Sequence, residues 1–72
     1  MSQLTSKTKI EYVAVCYYWD IFKGNIPNSE SSGFDSEEAA IEYGEDYVRN
    51  QVEQYGRYAW ATIEKRVVPI YE

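Results

Sequence analysis

One long amphipathic segment, residues 35–56, constrains the fold of this chain more than any other feature. Projected at 3.6 residues per turn, it divides into an apolar side and a charged side. The apolar side consists of Ala40, Ile41, Gly44, Tyr47, Val48, Gln51, Val52 and Tyr55. The charged side consists of Glu38, Glu42, Glu45, Asp46, Arg49 and Glu53. A helix of this length, about 30 Å, needs an apolar surface to lie on, and the flanking segments must supply it.

Both ends of this helix carry recognisable signals. Asp35 or Ser36 can serve as the N-cap, and with Asp35 in that role Glu38 occupies the reciprocal capping-box position. Gly56 has the place of a left-handed C-cap. Gly44 lies in mid-helix on the apolar side, where it costs about 1 kcal/mol relative to Ala. We therefore expect Gly44 to allow a close approach to a sheet.

Residues 9–22 have the composition of a long β-strand, rich in Val, Ile and aromatic residues and free of Pro and Gly. Alternation predicts two faces. One face holds Tyr12, Ala14, Cys16 and Tyr18, and the other holds Val13, Val15, Tyr17 and Trp19. Because both faces are apolar, we predict a central strand or one covered on two sides.

The rest of the chain predicts two further elements. Residues 23–28 have turn chemistry, and residues 29–34 form either a short polar edge strand, which we favour, or a loop that leads to the helix. Residues 57–68 form a last strand, and Pro69 suits a strand end or an edge. In this strand Ala59, Ala61 and Ile63 share one face, and Tyr58, Trp60 and Thr62 share the other.

These elements predict an α+β fold, a small two-layer β-β-α-β arrangement with one amphipathic helix on a two- or three-stranded sheet. The last strand is expected beside the first and antiparallel to it. Without the second strand, the first and last strands would be parallel through a right-handed crossover. Residues 1–8 are interpreted as a flexible lead-in and residues 9–72 as a single domain.

Composition indicates a cytoplasmic protein that is not embedded in a membrane. Apolar residues make up 44% of the 72 residues, yet no apolar run approaches the roughly 18 residues that a membrane span requires. The N-terminal residues MSQLTSKTK lack the apolar core of a secretory signal. The one cysteine cannot form an intramolecular disulfide, which favours a reducing compartment.

The chain offers little for catalysis. It contains no His, the commonest general base at neutral pH. Cys16 alternates with apolar residues, as a core thiol does. The helix carboxylates have helical spacing and lack the loop geometry of a calcium site. We therefore predict a protein that is not an enzyme and has no catalytic residues, cofactor or metal.

The aromatic residues predict a binding surface. The small residues Ala14, Cys16, Ala59 and Ala61 suit a close-packed helix, which would leave Tyr17, Trp19, Tyr58 and Trp60 on the opposite face. Four aromatic side chains of about 150–250 Å² each exceed the roughly 300–600 Å² patch of a typical monomer. We therefore predict a homodimer that covers this face, or the sheet edge away from the helix. The alternative is that the faces are reversed and these aromatic residues pack under the helix.

The predicted function is that of a small, non-catalytic, cytoplasmic protein-binding module that self-associates through this aromatic sheet face. An alternative rests on charge, since residues 30–53 hold eight acids and one base, a net charge of −7. Such a surface could dock on a basic protein partner, as inhibitors from phages or mobile elements dock on nucleic-acid-handling host enzymes. Its residues would be Glu38, Glu42, Glu45, Asp46 and Glu53. Direct nucleic-acid binding is disfavoured, including base stacking on the aromatic rings, because basic residues around them are few.

Overall fold

The computed structural model describes residues 7–70, which form three strands and one helix. Strand β1 spans Thr8–Asp20, β2 spans Gly24–Glu30, helix α1 spans Glu37–Tyr55 and β3 spans Ala59–Pro69. The fold is the predicted α+β arrangement in the order β-β-α-β. The predicted lead-in, residues 1–8, lies outside the described residues except for Lys7 and Thr8, and Thr8 already belongs to β1.

The sheet has the strand order β2-β1-β3, and both pairings are antiparallel. The expected pairing of the first and last strands is therefore confirmed. It runs without interruption from Thr8 opposite Pro69 to Tyr18 opposite Ala59. The central position of β1 explains its apolar composition, because neighbouring strands cover both of its edges and each face carries part of the core.

The second strand exists, but its predicted limits were wrong. Its seven residues, Gly24–Glu30, include most of the stretch assigned to a turn, whereas only Ser29 and Glu30 come from the stretch assigned to a strand. The Gly, Asn and Pro residues that suggested a turn are tolerated because β2 is an edge strand. A β-bulge at Asn28 also interrupts its register with β1.

Residues 31–34 continue along the same edge of β1 through separate contacts. The Ser31 N–H donates to the Ala14 carbonyl at 2.9 Å, and the Ser31 Oγ accepts from the Ala14 N–H at 2.9 Å. Phe34 and Tyr12 then exchange two backbone hydrogen bonds of 2.8 and 2.9 Å. Buried Ser31 thus provides hydrogen-bond partners for the backbone N–H and carbonyl groups of Ala14 in β1, beyond the end of β2.

The ends of α1 follow capping chemistry. Ser36, rather than Asp35, is the N-cap, and its Oγ accepts a hydrogen bond of 3.2 Å from the Ala39 N–H. Glu38 therefore does not occupy the capping-box position, although Glu37 and Glu38 still lie in the first turn, where the helix dipole favours carboxylates. Gly56 ends the helix in the left-handed conformation, with φ of 60°, as predicted.

The helix packs on β1 and β3 through small residues. A Cβ placed on Gly44 would lie 2.9 Å from the Ala61 Cβ and 3.9 Å from the Ala14 Cβ. The expected close approach of Gly44 to the sheet is thus confirmed. Together with the alternation along each strand, it shows that Ala14, Cys16 and Ala61 lie under the helix.

The core is small, and the apolar side of the helix is only partly used. The buried apolar residues are Val13, Ala14, Val15, Cys16, Ala40 and Ala59. On the predicted apolar side, Ala40, Gly44 and Gln51 are buried, but Val52 is 53% exposed and Tyr55 is 61% exposed. The stripe is wider than the two strands beneath it, so its margins face solvent.

An ion pair crosses the sheet on the face away from the helix. The Arg66 Nη2 on β3 lies 2.9 Å from the Glu30 Oε1 on β2, and it also contacts Glu64 at 2.6 Å. Because β1 runs between β2 and β3, these side chains meet above it, at the level of Val13 and Val15. This cover accounts for the burial of two valines on a face that carries no helix.

Replacing Gly44 by Val should destabilise the fold. The new side chain would overlap Ala61, and overpacking of about 1–3 kcal/mol outweighs the gain in helix propensity of less than about 1 kcal/mol. We expect the free energy of unfolding, measured by urea titration, to fall by about 2 kcal/mol.

The matched control is the same substitution in an Ala61→Gly background. Removing the Ala61 Cβ makes room, so Gly44→Val should cost clearly less there than in the original chain. Equal costs in both backgrounds would contradict the close contact of Gly44 with Ala61.

Candidate protein-binding surfaces

Tyr17, Trp19, Tyr58 and Trp60 lie together on the sheet face opposite the helix. Tyr17 is directly across from Trp60 in the β1–β3 register, and the Trp19 N–H donates to the Tyr58 carbonyl at 2.9 Å. Their strand neighbours Cys16 and Ala61 lie under the helix, so these side chains point the other way. We call these four residues the aromatic face.

The aromatic face is a packed cluster at one end of the sheet. The Tyr17 and Trp60 rings stack with centroids 5.4 Å apart and planes at 13°, and the Tyr58 and Trp60 rings lie 5.5 Å apart at 41°. Such ring pairs stabilise a structure by about 0.5–1.5 kcal/mol in addition to the contribution of the apolar area that they bury. The stack holds the rings in fixed positions before any partner arrives.

The rings are not equally exposed. Stacking leaves Tyr17 and Trp60 half-buried, whereas Trp19 is 49% exposed and Tyr58 is 69% exposed. The uncovered area is therefore smaller than the sequence predicts, because the side chains shield one another. It is concentrated on Trp19 and Tyr58, which flank the stack.

The β1–β2 turn adds two exposed apolar residues that sequence reasoning missed. Ile21 is 80% exposed and Phe22 is 91% exposed. The Asp20 Oδ1 accepts hydrogen bonds from the N–H groups of Phe22 and Lys23 at 2.8 and 2.9 Å, and these bonds lower the pKa of Asp20. This Asx turn gives the loop a defined shape, and the Asp directly before Ile-Phe was the available signal.

Arg57 stabilises the connection between α1 and β3 beside this cluster. Its guanidinium carbon lies 3.7 Å from the centre of the Tyr18 ring and 4.7 Å from that of Tyr55. Its Nε donates to the Oε1 of buried Gln51 at 2.7 Å. The cation–π contacts bring together side chains from β1, from α1 and from the connection after α1, so the linear sequence did not reveal them.

The predicted acidic residues Glu38, Glu42, Glu45, Asp46 and Glu53 are all exposed on α1. Within residues 7–70, Asp46 pairs with Arg49 at 2.9 Å, whereas the four glutamates take part in none of the ion pairs. The structure therefore presents them as a line of carboxylates on one rigid helix, on the layer opposite the aromatic face.

Chemistry-bearing groups are sparse in the part of the chain described. Cys16 is fully buried, and burial raises the pKa of its thiol, opposed by a hydrogen bond with Ser29. Over residues 7–70, no three acidic or cysteine side chains come together in a way that could hold a metal ion. The one helix described is not both long and apolar enough to cross a membrane.

Comparisons with protein-family models, with curated proteins and with solved structures gave no match to this chain.

Cys16 should be unreactive in the folded protein. Because the thiol is buried and its raised pKa leaves little thiolate at neutral pH, we expect the native chain to react with a disulfide reagent at least about tenfold more slowly than the urea-unfolded chain. The absorbance of the released thiolate measures both rates. Equal rates would show that Cys16 is accessible and would reopen a role for it as a nucleophile.

Proposed function

We propose that this chain is a small, non-catalytic protein-binding module that self-associates through its aromatic face. The observation that carries the proposal is the ordered cluster of the Tyr17, Trp60 and Tyr58 rings on a face that no other element among residues 7–70 covers. Rigid aromatic side chains bind with little loss of conformational entropy, and they are enriched at the centres of protein interfaces.

A second copy of the chain is the occupant that the charges favour. Tyr17, Trp19, Tyr58 and Trp60 carry no charge, and the ion pairs of Arg66 neutralise acids elsewhere on the same face. The acidic helix lies on the opposite layer, so a two-fold contact between aromatic faces directs both helices outward and keeps their carboxylates away from that contact. The aromatic face of each copy then covers the aromatic face of the other copy.

The proposed setting is the cytoplasm. The single cysteine of the chain is buried and unpaired, which suits a reducing compartment. A chain of 72 residues has a thin stability margin, and association adds buried apolar surface to its small core.

Replacing Tyr58 by Glu tests the aromatic face directly. Tyr58 is 69% exposed, so its loss leaves the core intact while placing a charge at the centre of the proposed contact. We expect the molar mass, measured by sedimentation equilibrium at tens of micromolar, to fall to half that of the wild type. Two buried like charges weaken association by about tenfold or more.

Asn50→Glu is the matched control, because it adds the same charge on the exposed outer side of α1. It should keep the wild-type mass. A wild-type chain that sediments as a monomer, or a Tyr58→Glu variant with unchanged mass, would remove the aromatic face as a self-association surface.

A second proposal uses the acidic helix as an inhibitor of nucleic-acid-handling enzymes. Its support is the line of Glu38, Glu42, Glu45 and Glu53, which make no ion pair among residues 7–70. Carboxylates held on a rigid helix can occupy a basic cleft that normally binds phosphates.

A panel of purified nucleases with basic clefts tests this second proposal. Inhibition should be strong at low salt and should weaken steeply as salt is raised. Replacing Glu38, Glu42 and Glu45 by Gln should abolish it, whereas Tyr58→Glu should not. Inhibition that is insensitive to both salt and these Gln substitutions would contradict the mimicry.

A further inference from the structure

The outer edge of β3 is a long row of backbone groups without a partner strand among the described residues. The Trp19 N–H donates to the Tyr58 carbonyl, and the Ile70 N–H donates to the Lys7 carbonyl. Even-numbered residues of β3 therefore bond to β1, and the alternation of an antiparallel ladder directs the odd-numbered ones outward. The outward residues with both a donor and an acceptor are Ala59, Ala61, Ile63, Lys65 and Val67.

The two edges of the sheet differ in their protection. On β2, Pro27 lies opposite Tyr17, whose backbone bonds to β3, so Pro27 removes a donor from the outer edge of β2. β2 is also short and contains a β-bulge, so its edge is a poor template for pairing with another strand. On β3, proline occurs only at the end, at Pro69, and the ten residues before it form an open template.

The helix leaves an open groove above this edge. Gly44 lies over both Ala14 and Ala61, so α1 is centred between β1 and β3. The groove has a volume of about 520 Å³, and it is lined by Ile41, Gly44, Glu45, Val48 and Arg49 of the helix and by Ala61 and Ile63 of β3. Ile41 is 39% exposed and Val52, further along the same side of the helix, is 53% exposed.

We propose that a second copy of the chain occupies this groove by pairing its β3 antiparallel to the first, around a two-fold axis perpendicular to the sheet. The spacing between strands fits this occupant. Strands pair about 4.8 Å apart, and each helix is centred about half that spacing inside its β3. The two helix axes would then lie about 9.6 Å apart, within the 8–10 Å at which helices pack.

The register follows from the outward residues. With the axis at Ile63, Ile63 faces its own copy, Ala61 faces Lys65 and Ala59 faces Val67, so all five outward residues pair. An axis at Glu64 or at Lys65 would put like charges opposite each other. The axis at Glu64 would also place Pro69, which has no N–H, opposite Ala59.

Charge complementarity supports the same register. Lys65 of the second copy lies beside Ala61, which is directly beneath Gly44 and next to Glu45 in the groove. Lys65 and Glu45 make no ion pair within residues 7–70 of their own chain. The pairing therefore brings Lys65 next to Glu45, twice over by symmetry. Arg49, the other charged residue that lines the groove, is paired with Asp46 at 2.9 Å.

This contact goes beyond the proposed aromatic-face association, and it uses different residues. Pairing at β3 puts both aromatic faces on the same side of one six-stranded sheet, where they stay open. A two-fold axis between aromatic faces lies parallel to the sheet, so the two contacts are compatible in a closed assembly of four copies.

A charge swap at Ile63 tests the edge contact. Ile63→Lys and Ile63→Glu each place two like charges on the two-fold axis, so either variant alone should associate about tenfold more weakly or worse, and its mass should halve. An equimolar mixture should recover the wild-type mass, with one variant labelled with ¹⁵N so that native mass spectrometry identifies the mixed pairs. Circular dichroism confirms that each variant is folded, and Asn50→Lys controls for added charge.

The outcomes separate the two contacts. Recovery in the mixture supports the β3 edge even if Tyr58→Glu leaves the mass unchanged, which would reject the aromatic face alone. Ile63 variants that keep the wild-type mass, or a folded mixture that fails to recover it, overturn the edge contact whatever the result at Tyr58. A wild-type monomer at tens of micromolar overturns both.

Discussion

The close approach of α1 to the sheet at Gly44 is the contact on which the rest of the structure depends. A Cβ placed on Gly44 would lie only 2.9 Å from the Ala61 Cβ. At this distance the helix lies on alanines and a cysteine instead of on large side chains. Little volume is left between the layers, so the core consists of small residues. Alternation places the large aromatic residues Tyr17, Trp19, Tyr58 and Trp60 on the opposite face.

That arrangement divides the uncovered face of the sheet into two parts. At one end the side chains of Arg66 and Glu30 meet above β1, where Val13 and Val15 are buried without a second layer. Both partners are about half exposed, so the ion pair itself contributes little, and the cover it provides matters more. At the other end the aromatic residues cover one another by stacking, and Trp19 and Tyr58 remain available for binding.

The width of the sheet explains the groove above β3 and the exposed edge of that strand. One helix centred between two strands can cover about that width, and β3 is the outermost strand on its side. One side of the helix then projects beyond β3. For this reason Ile41 and Val52 face solvent although they belong to the apolar stripe. The same geometry leaves both the backbone edge of β3 and the groove above it uncovered by any other part of residues 7–70.

The amino-acid sequence determined the features that depend on local chemistry and on periodicity. The β-β-α-β order, the helix with Gly56 at its end, the close contact of Gly44 and the two faces of β1 all follow from such patterns. The limits of β2 did not, because an edge strand tolerates Gly and Pro that otherwise signal a turn. Tertiary structure alone decided what distant residues do together: the stacking of Tyr17 on Trp60, the enclosure of Arg57 between two tyrosine rings, and the groove above β3. Each depends on distances between elements that sequence periodicity does not specify.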